Sequence, residues 1–288
     1  MLTPVDRVVI STANVNGVRA ASGKGLLDWL ARTDAEVVCL QEVRALPGDL
    51  PSAFLAATAG WHLTLEPAET KGRNGVAVLS REAPLAVRTG IGAAEFAGHG
   101  RYVEVDLPGL TVASLYLPKG QAGTPKQEEK DRFLAAFAEH LGKTVADGRE
   151  MVVAGDFNIA PAEADLRNWR GNLAHSGFLP HERAWLADLC GAGWRDTVRE
   201  LHPAAEGPYT WWSYRGRAFD NDAGWRIDHV LATPGLVPVD ARVERAPSYD
   251  TRWSDHAPVT VSMVGSASSA SASMVGSASS ASASMVGS

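Results

Sequence analysis

The sequence has few cysteines, no long apolar run and no secretion signal. Its two cysteines, Cys39 and Cys190, form no CxxC pair and no spacing suited to zinc, so a zinc site is not expected. No apolar segment approaches the roughly 20 residues that a membrane-spanning helix needs. The N-terminus also lacks a basic stretch followed by a long apolar one. We therefore expect a cytoplasmic protein with no membrane partner.

The chain also lacks an excess of positive charge. Its formal net charge is -6, which usually argues against a nucleic-acid partner because backbone phosphates attract cations. A metal site needs carboxylates, however, and a local basic rim can still hold DNA. The 288 residues, 45% of them hydrophobic, are enough for a large buried core.

Short apolar runs rich in β-branched residues recur between Gly, Pro and Asn residues and predict buried strands. The runs cover residues 8–10, 37–40, 76–79, 112–116, 151–154, 227–231 and 259–261. Apolar residues at helical spacing lie between them, in segments 26–30, 127–141 and 183–189. This alternation predicts one α/β domain over residues 1–262, in which helices cover the sheets.

The composition changes abruptly at Met263. An 11-residue repeat rich in Ser, Ala and Gly begins there, begins again at Met274, and starts a third time at Met285. Such residues cannot bury enough surface to offset the entropy of ordering the chain. We therefore expect residues 263–288 to form a flexible tail with no catalytic role.

Acidic and amide side chains follow the predicted strands. Glu42 follows one strand, Asp156 and Asn158 follow another, and Asp255 and His256 precede the last. Carboxylates at strand ends with no nearby Lys or Arg are costly unless a cation or a ligand compensates them. Three such places with one histidine predict metal-assisted hydrolysis of a phosphate ester.

Spacing assigns chemistry to some of these residues. Asp156 and Asn158 are two apart, so in an extended segment both point to one side, where one can orient water and the other can bind a phosphoryl oxygen. A simple turn is the plainer alternative, since Gly, Asp and Asn all favour turns. His256 can act as an acid or base if a partner fixes its tautomer, and Asp228 is the candidate partner. We expect the neighbouring His229 to be structural.

Two further motifs accompany the acidic ones. Asn14 and Asn16 repeat the two-apart spacing after the first strand, although by themselves they resemble a turn. Tyr116 ends a strand, where its hydroxyl could reach a phosphate, although a lone tyrosine there is more often part of a core.

In this order, the residues resemble the exonuclease III family of AP endonucleases, within the endonuclease/exonuclease/phosphatase superfamily. The resemblance runs from about residue 7 to residue 261. Its superfamily motifs are Asn14-Val15-Asn16-Gly17, Leu40-Gln41-Glu42, Gly155-Asp156-Phe157-Asn158 and Ser254-Asp255-His256. More specific to the family are segments 74–81, 100–104 and 209–228.

The resemblance implies a fold and an activity. The fold is a DNase I-like, four-layered α/β sandwich of two packed mixed sheets flanked by helices. The activity is that of an apurinic/apyrimidinic endonuclease of base excision repair, which incises 5′ of abasic sites and usually has 3′-to-5′ exodeoxyribonuclease and 3′-phosphodiesterase activity. The implied cofactor is Mg²⁺ or Mn²⁺. The implied partner is double-stranded DNA with abasic sites or blocked 3′ ends, bound by a monomer.

The resemblance also implies roles for individual residues. Asp156 would activate or align the attacking water, Asn158 would bind the scissile phosphate, and His256, oriented by Asp228, would stabilise charge on it. Tyr116 would contact the phosphate or the leaving group. The implied metal site comprises Asn14, Glu42, Asp156, Asn158, Asp255 and His256, with Asn16 nearby.

The remaining implied residues would hold the DNA. Trp211, Trp225 and Ile227 would line a pocket for the extruded, base-free sugar, which costs less to flip than a normal nucleotide. Core packing is the alternative for the tryptophans. The candidates for a basic rim that positions the duplex are Lys71, Arg73, Lys119, Arg215 and Arg217.

Two positions depart from the family pattern, and two alternatives stay open. Ala13 stands where an aromatic residue is common, and Lys119 stands where Asn or Ser is frequent, which puts the balance of exonuclease and endonuclease activity in doubt. One alternative is another phosphodiesterase on the same fold, such as a non-specific DNase. The other is a non-catalytic binding module, against which the presence of every catalytic motif argues.

Overall fold

The structure, a computed structural model, describes residues 6–266. Within that range the chain forms twelve strands: β1 Val8–Asn14, β2 Val37–Gln41, β3 His62–Glu66, β4 Val76–Ser80, β5 Ala86–Thr89, β6 Tyr102–Leu107, β7 Leu110–Tyr116, β8 Met151–Asp156, β9 Arg195–Asp196, β10 Asp228–Ala232, β11 Leu236–Val243 and β12 Val259–Gly265. Its α-helices are α1 Val18–Ser22, α2 Leu26–Arg32, α3 Ser52–Ala57, α4 Pro125–Ala146, α5 Pro180–Gly191 and α6 Thr197–Leu201.

The strands form two mixed six-stranded sheets. Their orders are β11-β12-β1-β2-β4-β3 and β5-β6-β7-β8-β10-β9. The β1–β2 and β7–β8 pairs are parallel, and the other described pairs are antiparallel. Helices flank both sheets, which confirms the expected four-layered sandwich.

The layers explain why the central strands are apolar along their whole length. In β2, Val37 and Cys39 face the core between the sheets, whereas Val38 and Leu40 face the outer layer with α2. Successive side chains of a strand point to opposite faces, so a strand covered on both sides must be apolar at every position. Burial raises the pKa of the Cys39 thiol far above its ordinary value, in keeping with a small buried hydrophobe.

The elements predicted from apolar patterns are all present. Six of the seven predicted runs lie wholly in a strand, the run 227–231 begins one residue before β10, and the three helical segments lie in α2, α4 and α5. Strand β12 continues to Gly265, and Met263 is fully buried between the sheets. The strand thus extends past the expected start of the tail at residue 263, and residues 267–288 lie outside the described residues.

Strand direction brings the polar motifs to one edge of the sandwich. Parallel strands β1 and β2 both end there, as do β7 and β8 in the other sheet. Strand β10 is antiparallel to β8 and begins there, with Asp228 opposite Asp156. The residues just before β12 lie at the end of β1, since Val259 pairs with Thr12.

Among residues 6–266, no helix combines the length and apolarity that crossing a bilayer requires.

Candidate active site

Asn14 joins the ends of the two sheets. Its side-chain amide donates to Glu42 Oε1 at 2.8 Å and to Asp156 Oδ2 at 2.9 Å. The backbone N–H of Asn16 donates to Asn14 Oδ1 at 2.9 Å, which fixes the orientation of the amide. Because Asn14 is fully buried, these bonds hold two carboxylates from different sheets at a set separation.

Asp156 and Asn158 form a tight turn after β8. The backbone N–H of Asn158 donates to Asp156 Oδ1 at 2.9 Å, and the Asn158 backbone is left-handed, with φ 51°. Asparagine tolerates that conformation better than most residues. Its side-chain amide donates one hydrogen bond to the Leu117 carbonyl at 3.0 Å. A primary amide carries two donors, so the second N–H can serve a ligand in the cleft.

His256 and Asp228 form a buried dyad. His256 Nδ1 lies 2.8 Å from Asp228 Oδ2 and donates to it, and the Thr210 hydroxyl donates to the same oxygen at 2.6 Å. The other ring nitrogen, Nε2, lies 3.8 Å from Asp156 Oδ2. The dyad therefore fixes the tautomer and aims Nε2 at the carboxylate edge.

The electrostatics of this edge follow from burial and crowding of charge. Burial raises the pKa of Asp156, and the charges of Asp228 and Glu42 raise it further, although His256 opposes them. Burial alone would lower the pKa of His256, but the charge and hydrogen bond of Asp228 outweigh it and raise that pKa. The protonated imidazole of His256 thus faces Asp156, whose carboxyl group keeps its proton to a higher pH than usual.

The donor set fits a metal ion. Among the described residues, ligand atoms of Asp156, Asp228 and His256 lie within 4.8 Å of one another, an acidic cluster that could hold a metal. Because Asp228 and His256 bond each other, Asp156 is the member of the cluster that is open to an ion. Glu42 lies beside it through the shared Asn14 amide. Carboxylate and amide oxygens suit a hard divalent cation, and such a cation would offset the crowding that raises the pKa of Asp156.

Tyr116 closes one side of the site. It is buried, and burial, together with the charges of Glu42 and Asp156, raises the pKa of its phenol well above the ordinary value. The Arg101 guanidinium lies 5.2 Å from the centre of its ring. Its hydroxyl therefore stays protonated near neutral pH and can donate a hydrogen bond.

A cleft of about 440 Å³ connects this chemistry to an aromatic pocket. The rings of Trp211 and Trp225 meet edge to face at 6.2 Å. Ile227 packs beside them in a small apolar cluster that includes Phe178. The cleft is lined by Glu42, Tyr116, Asp156, Asn158, Asp255 and His256 as well as by Trp211, Trp225 and Ile227. The structure thus brings the predicted catalytic and pocket residues together.

The predicted basic rim is only partly at the cleft. Lys119 lines it, with Nζ 5.8 Å from the Trp211 ring centre, and Arg73 and Lys119 line an adjoining groove. Lys71 instead pairs with Asp49 at 3.0 Å, beside a different pocket. Arg215 is exposed, and Arg217 pairs with Asp220 at 3.3 Å.

Several cleft residues were not expected from the sequence. Arg44 forms an ion pair with Glu42, two residues away, and the half-exposed Tyr214 also lines the cleft. The segment that contains His175, Ser176 and Gly177 forms another wall. Gly177 has φ +91°, and a Cβ there would lie 3.0 Å from the Asn158 carbonyl oxygen. The position of Arg44, two residues after Glu42, could have indicated that it lies at the site. Segment 172–177 could not be found in this way, because it reaches the site only through tertiary packing.

Comparison with known proteins gives consistent results. The profile of the endonuclease/exonuclease/phosphatase family matches residues 11–256. An exodeoxyribonuclease from Bacillus subtilis is 33% identical over 248 residues, which cover 85% of this chain and 95% of the relative. The structure of the 3′ phosphatase NExo from Neisseria bound to a product DNA hairpin is 33% identical with a TM-score of 0.80, and covers 88% of this chain and 98% of that one. An AP endonuclease from Archaeoglobus fulgidus, at 29% identity, has the same TM-score of 0.80 and the same coverage of 88% and 98%.

Proposed function

The chain belongs to the exonuclease III family of AP endonucleases, within the endonuclease/exonuclease/phosphatase superfamily, and on that premise we propose that it is a metal-dependent DNA-repair phosphodiesterase that incises duplex DNA 5′ of abasic sites. The proposal includes the 3′-to-5′ exonuclease and 3′-phosphodiesterase activities of the family. Its substrates would be duplexes with abasic sites or blocked 3′ ends, and the enzyme would act as a monomer.

One observation carries the proposal: a single cleft contains both the hydrolytic groups and the Trp211–Trp225–Ile227 pocket. A base-free sugar costs little to flip out of the helix, because it has no base to unstack or unpair. We expect the close-packed aromatic walls to admit a sugar and to exclude a nucleotide that keeps its base. The scissile phosphate next to that sugar would then lie over Asp156, Asn158 and His256.

We assign each residue a part in hydrolysis, and its position in the cleft supports the assignment. Asp156 accepts the proton of the attacking water or aligns it, and the free N–H of the Asn158 amide binds a phosphoryl oxygen. His256 presents a protonated Nε2 to charge that develops on the phosphate, held in place by Asp228. The Tyr116 hydroxyl donates to the phosphate or to the leaving oxygen. Fixed donors aimed at developing charge are a large source of catalysis in such sites.

We assign the ion, Mg²⁺ or Mn²⁺, to the oxygen-rich edge formed by Glu42 and Asp156 with Asn14, Asn158 and Asp255 nearby. When bound, it supplies Lewis-acid stabilisation of negative charge on the phosphoryl oxygens. Oxygen ligands and the excess of carboxylates at this edge support that choice.

A non-specific DNase on the same fold is the nearest competitor, because it would keep the same hydrolytic groups. The aromatic pocket favours repair over general digestion. Lys119 lines both the cleft and the adjoining groove, and we expect this cation to affect the balance of exonuclease and endonuclease activity.

The Asp156→Asn variant tests the catalytic assignment. We expect it to lose turnover of an abasic-site duplex by orders of magnitude while it keeps affinity for that duplex in EDTA, because the amide preserves size but not basicity. Asp147→Asn, at an exposed carboxylate that follows α4, is the matched control and should behave like the wild type. Turnover by Asp156→Asn close to that of the control would contradict the assignment.

A further inference from the structure

The side chain of Asp255 accepts two hydrogen bonds, one at each carboxylate oxygen. Trp211 Nε1 donates to Oδ2 at 3.0 Å, and Asn16 Nδ2 donates to Oδ1 at 2.8 Å. Asp255 lies next to His256 in sequence, yet it is not part of the Asp156–Asp228–His256 cluster. Its nearest partners thus belong to the pocket wall and to the loop after β1.

The backbone around Trp211 is fixed independently of that side chain. Trp212 N donates to the Asp255 carbonyl at 3.1 Å, and Ala257 N donates to the Thr210 carbonyl at 2.7 Å. These bonds lay the segment of Trp211 alongside that of His256. They do not set the rotation of the indole about its own side-chain axis, which is a soft torsion with broad wells.

The indole N–H is the only polar group of the Trp211 side chain, and it donates to the Asp255 carboxylate. A hydrogen bond to an ionised acceptor is shorter and stronger than a neutral one. A second partner, Asn16, holds the carboxylate in place, so that the indole cannot turn without breaking a supported contact. The Trp211 ring, which meets the Trp225 ring edge to face, lines the cleft in this orientation.

We propose that Asp255 is a positioning residue that locks the Trp211 indole through its N–H and so sets the preference of the cleft for a base-free nucleotide. The inference rests on the proposed function, and it goes beyond the metal-site role that family resemblance implies for Asp255. A rotated indole would open the wall, and an ordinary nucleotide would then compete better for the pocket.

Three variants separate the positioning role of Asp255 from a role in the metal site. Asp255→Ala removes both acceptors, and Trp211→Phe removes the N–H donor. Asp255→Asn removes the charge but keeps an oxygen for the indole, since the Asn16 amide can turn to meet the new amide nitrogen. Asp222→Gly is the matched control: it breaks the neighbouring Trp212 Nε1–Asp222 Oδ1 bond of 3.0 Å, outside the cleft, and glycine accepts the φ of 49° there.

The experiment measures binding without metal. Dissociation constants for a duplex with one stable abasic analogue and for its undamaged counterpart are measured in EDTA by fluorescence anisotropy, and their ratio gives the preference. We expect Asp255→Ala, Trp211→Phe and the double variant each to lose about tenfold of the preference, the scale of one hydrogen bond to a charged acceptor. Asp255→Asn, which keeps a weaker neutral bond, should lose less of the preference than Asp255→Ala, and the control should stay within about threefold of the wild type.

Three outcomes would overturn the inference. Asp255→Ala with wild-type preference would mean that the carboxylate acts only with metal present. A loss in Asp255→Asn equal to that in Asp255→Ala would make charge, not orientation, the cause, and multiplied losses in the double variant would show that the two side chains act separately. Should the alanine variant fail to melt cooperatively, Asp255→Ser replaces it. A wild type without any preference would instead refute the proposed function itself.

Discussion

The Asp228–His256 dyad makes a quantitative prediction through Asp228→Asn. Asp228 Oδ2 accepts from both the Thr210 hydroxyl and His256 Nδ1. An amide oxygen at the Oδ2 position can accept both bonds, so the variant loses the negative charge together with the second acceptor, Oδ1, which lies 3.1 Å from His256 Nδ1. It therefore measures what the negative charge of Asp228 contributes to His256.

The magnitude follows from the charge state of the imidazole. Burial lowers the pKa of His256, and Asp228 is the largest of the influences that raise it above its ordinary value. Without that charge, His256 loses its proton as the pH rises through neutrality. We expect the loss of one charged donor to the phosphate to cost about 3 kcal/mol, or about a hundredfold in the rate of the chemical step.

The assay is single-turnover cleavage of an abasic-site duplex from about pH 6 to about pH 8, the range in which an unassisted histidine titrates. The ratio of variant to wild-type rate should fall as the pH rises, because only the variant loses its imidazolium in that range. Binding in EDTA serves as the control and should change little. A ratio that stays constant with pH, or a rate loss below about fivefold, would refute the account of the dyad.

Three further predictions concern the structure around the site. Lys130→Met leaves the fully buried Glu182 without its cation 2.7 Å away, so urea titration should show a loss of about 3–5 kcal/mol in unfolding free energy, partly restored by adding Glu182→Gln. Burial alone would raise the pKa of Asp196, but Arg226 lowers it to about 2 from 3.8. This shift should contribute about 2 kcal/mol to the free energy of unfolding. The contribution should be fully present above about pH 4 and should disappear as the pH falls toward 2. Acid titration of Asp196→Asn should lack that component, and a curve that matches the wild type would contradict it. Gly177→Ala puts a Cβ 3.0 Å from a carbonyl oxygen at a backbone φ of +91°. It should lower the unfolding free energy by more than about 1 kcal/mol and weaken binding of the abasic duplex. An unchanged melting temperature would contradict this prediction.

Much of the fold could be predicted because the central strands are buried on both faces. Runs such as 37–40 and 151–154 are apolar throughout, and that pattern needs no tertiary information. The edge strand β3, from His62 to Glu66, is half-exposed and mixed in polarity, so its sequence carries little signal. Strand β5 is short and lies at the edge of the other sheet, and it was missed for the same reason.

The site divides in the same way. Asp156, His256 and Glu42 carry chemistry in their own side chains after recognisable strands, so the sequence pointed to them. Contacts between distant segments were not visible: the bond from Trp211 to Asp255 spans 44 positions of chain. The exposed cations were the least predictable, because Lys71 satisfies a nearby acid and only the fold shows which cations face the cleft.

Cleavage of a labelled duplex that carries one stable abasic analogue, with Mg²⁺ or with EDTA and beside an undamaged duplex of the same sequence, tests the proposed repair activity. We expect a single incision immediately 5′ of the lesion, only with metal, and an intact undamaged strand. Equal cutting of both duplexes, or no cutting of the lesion strand with metal present, would contradict it.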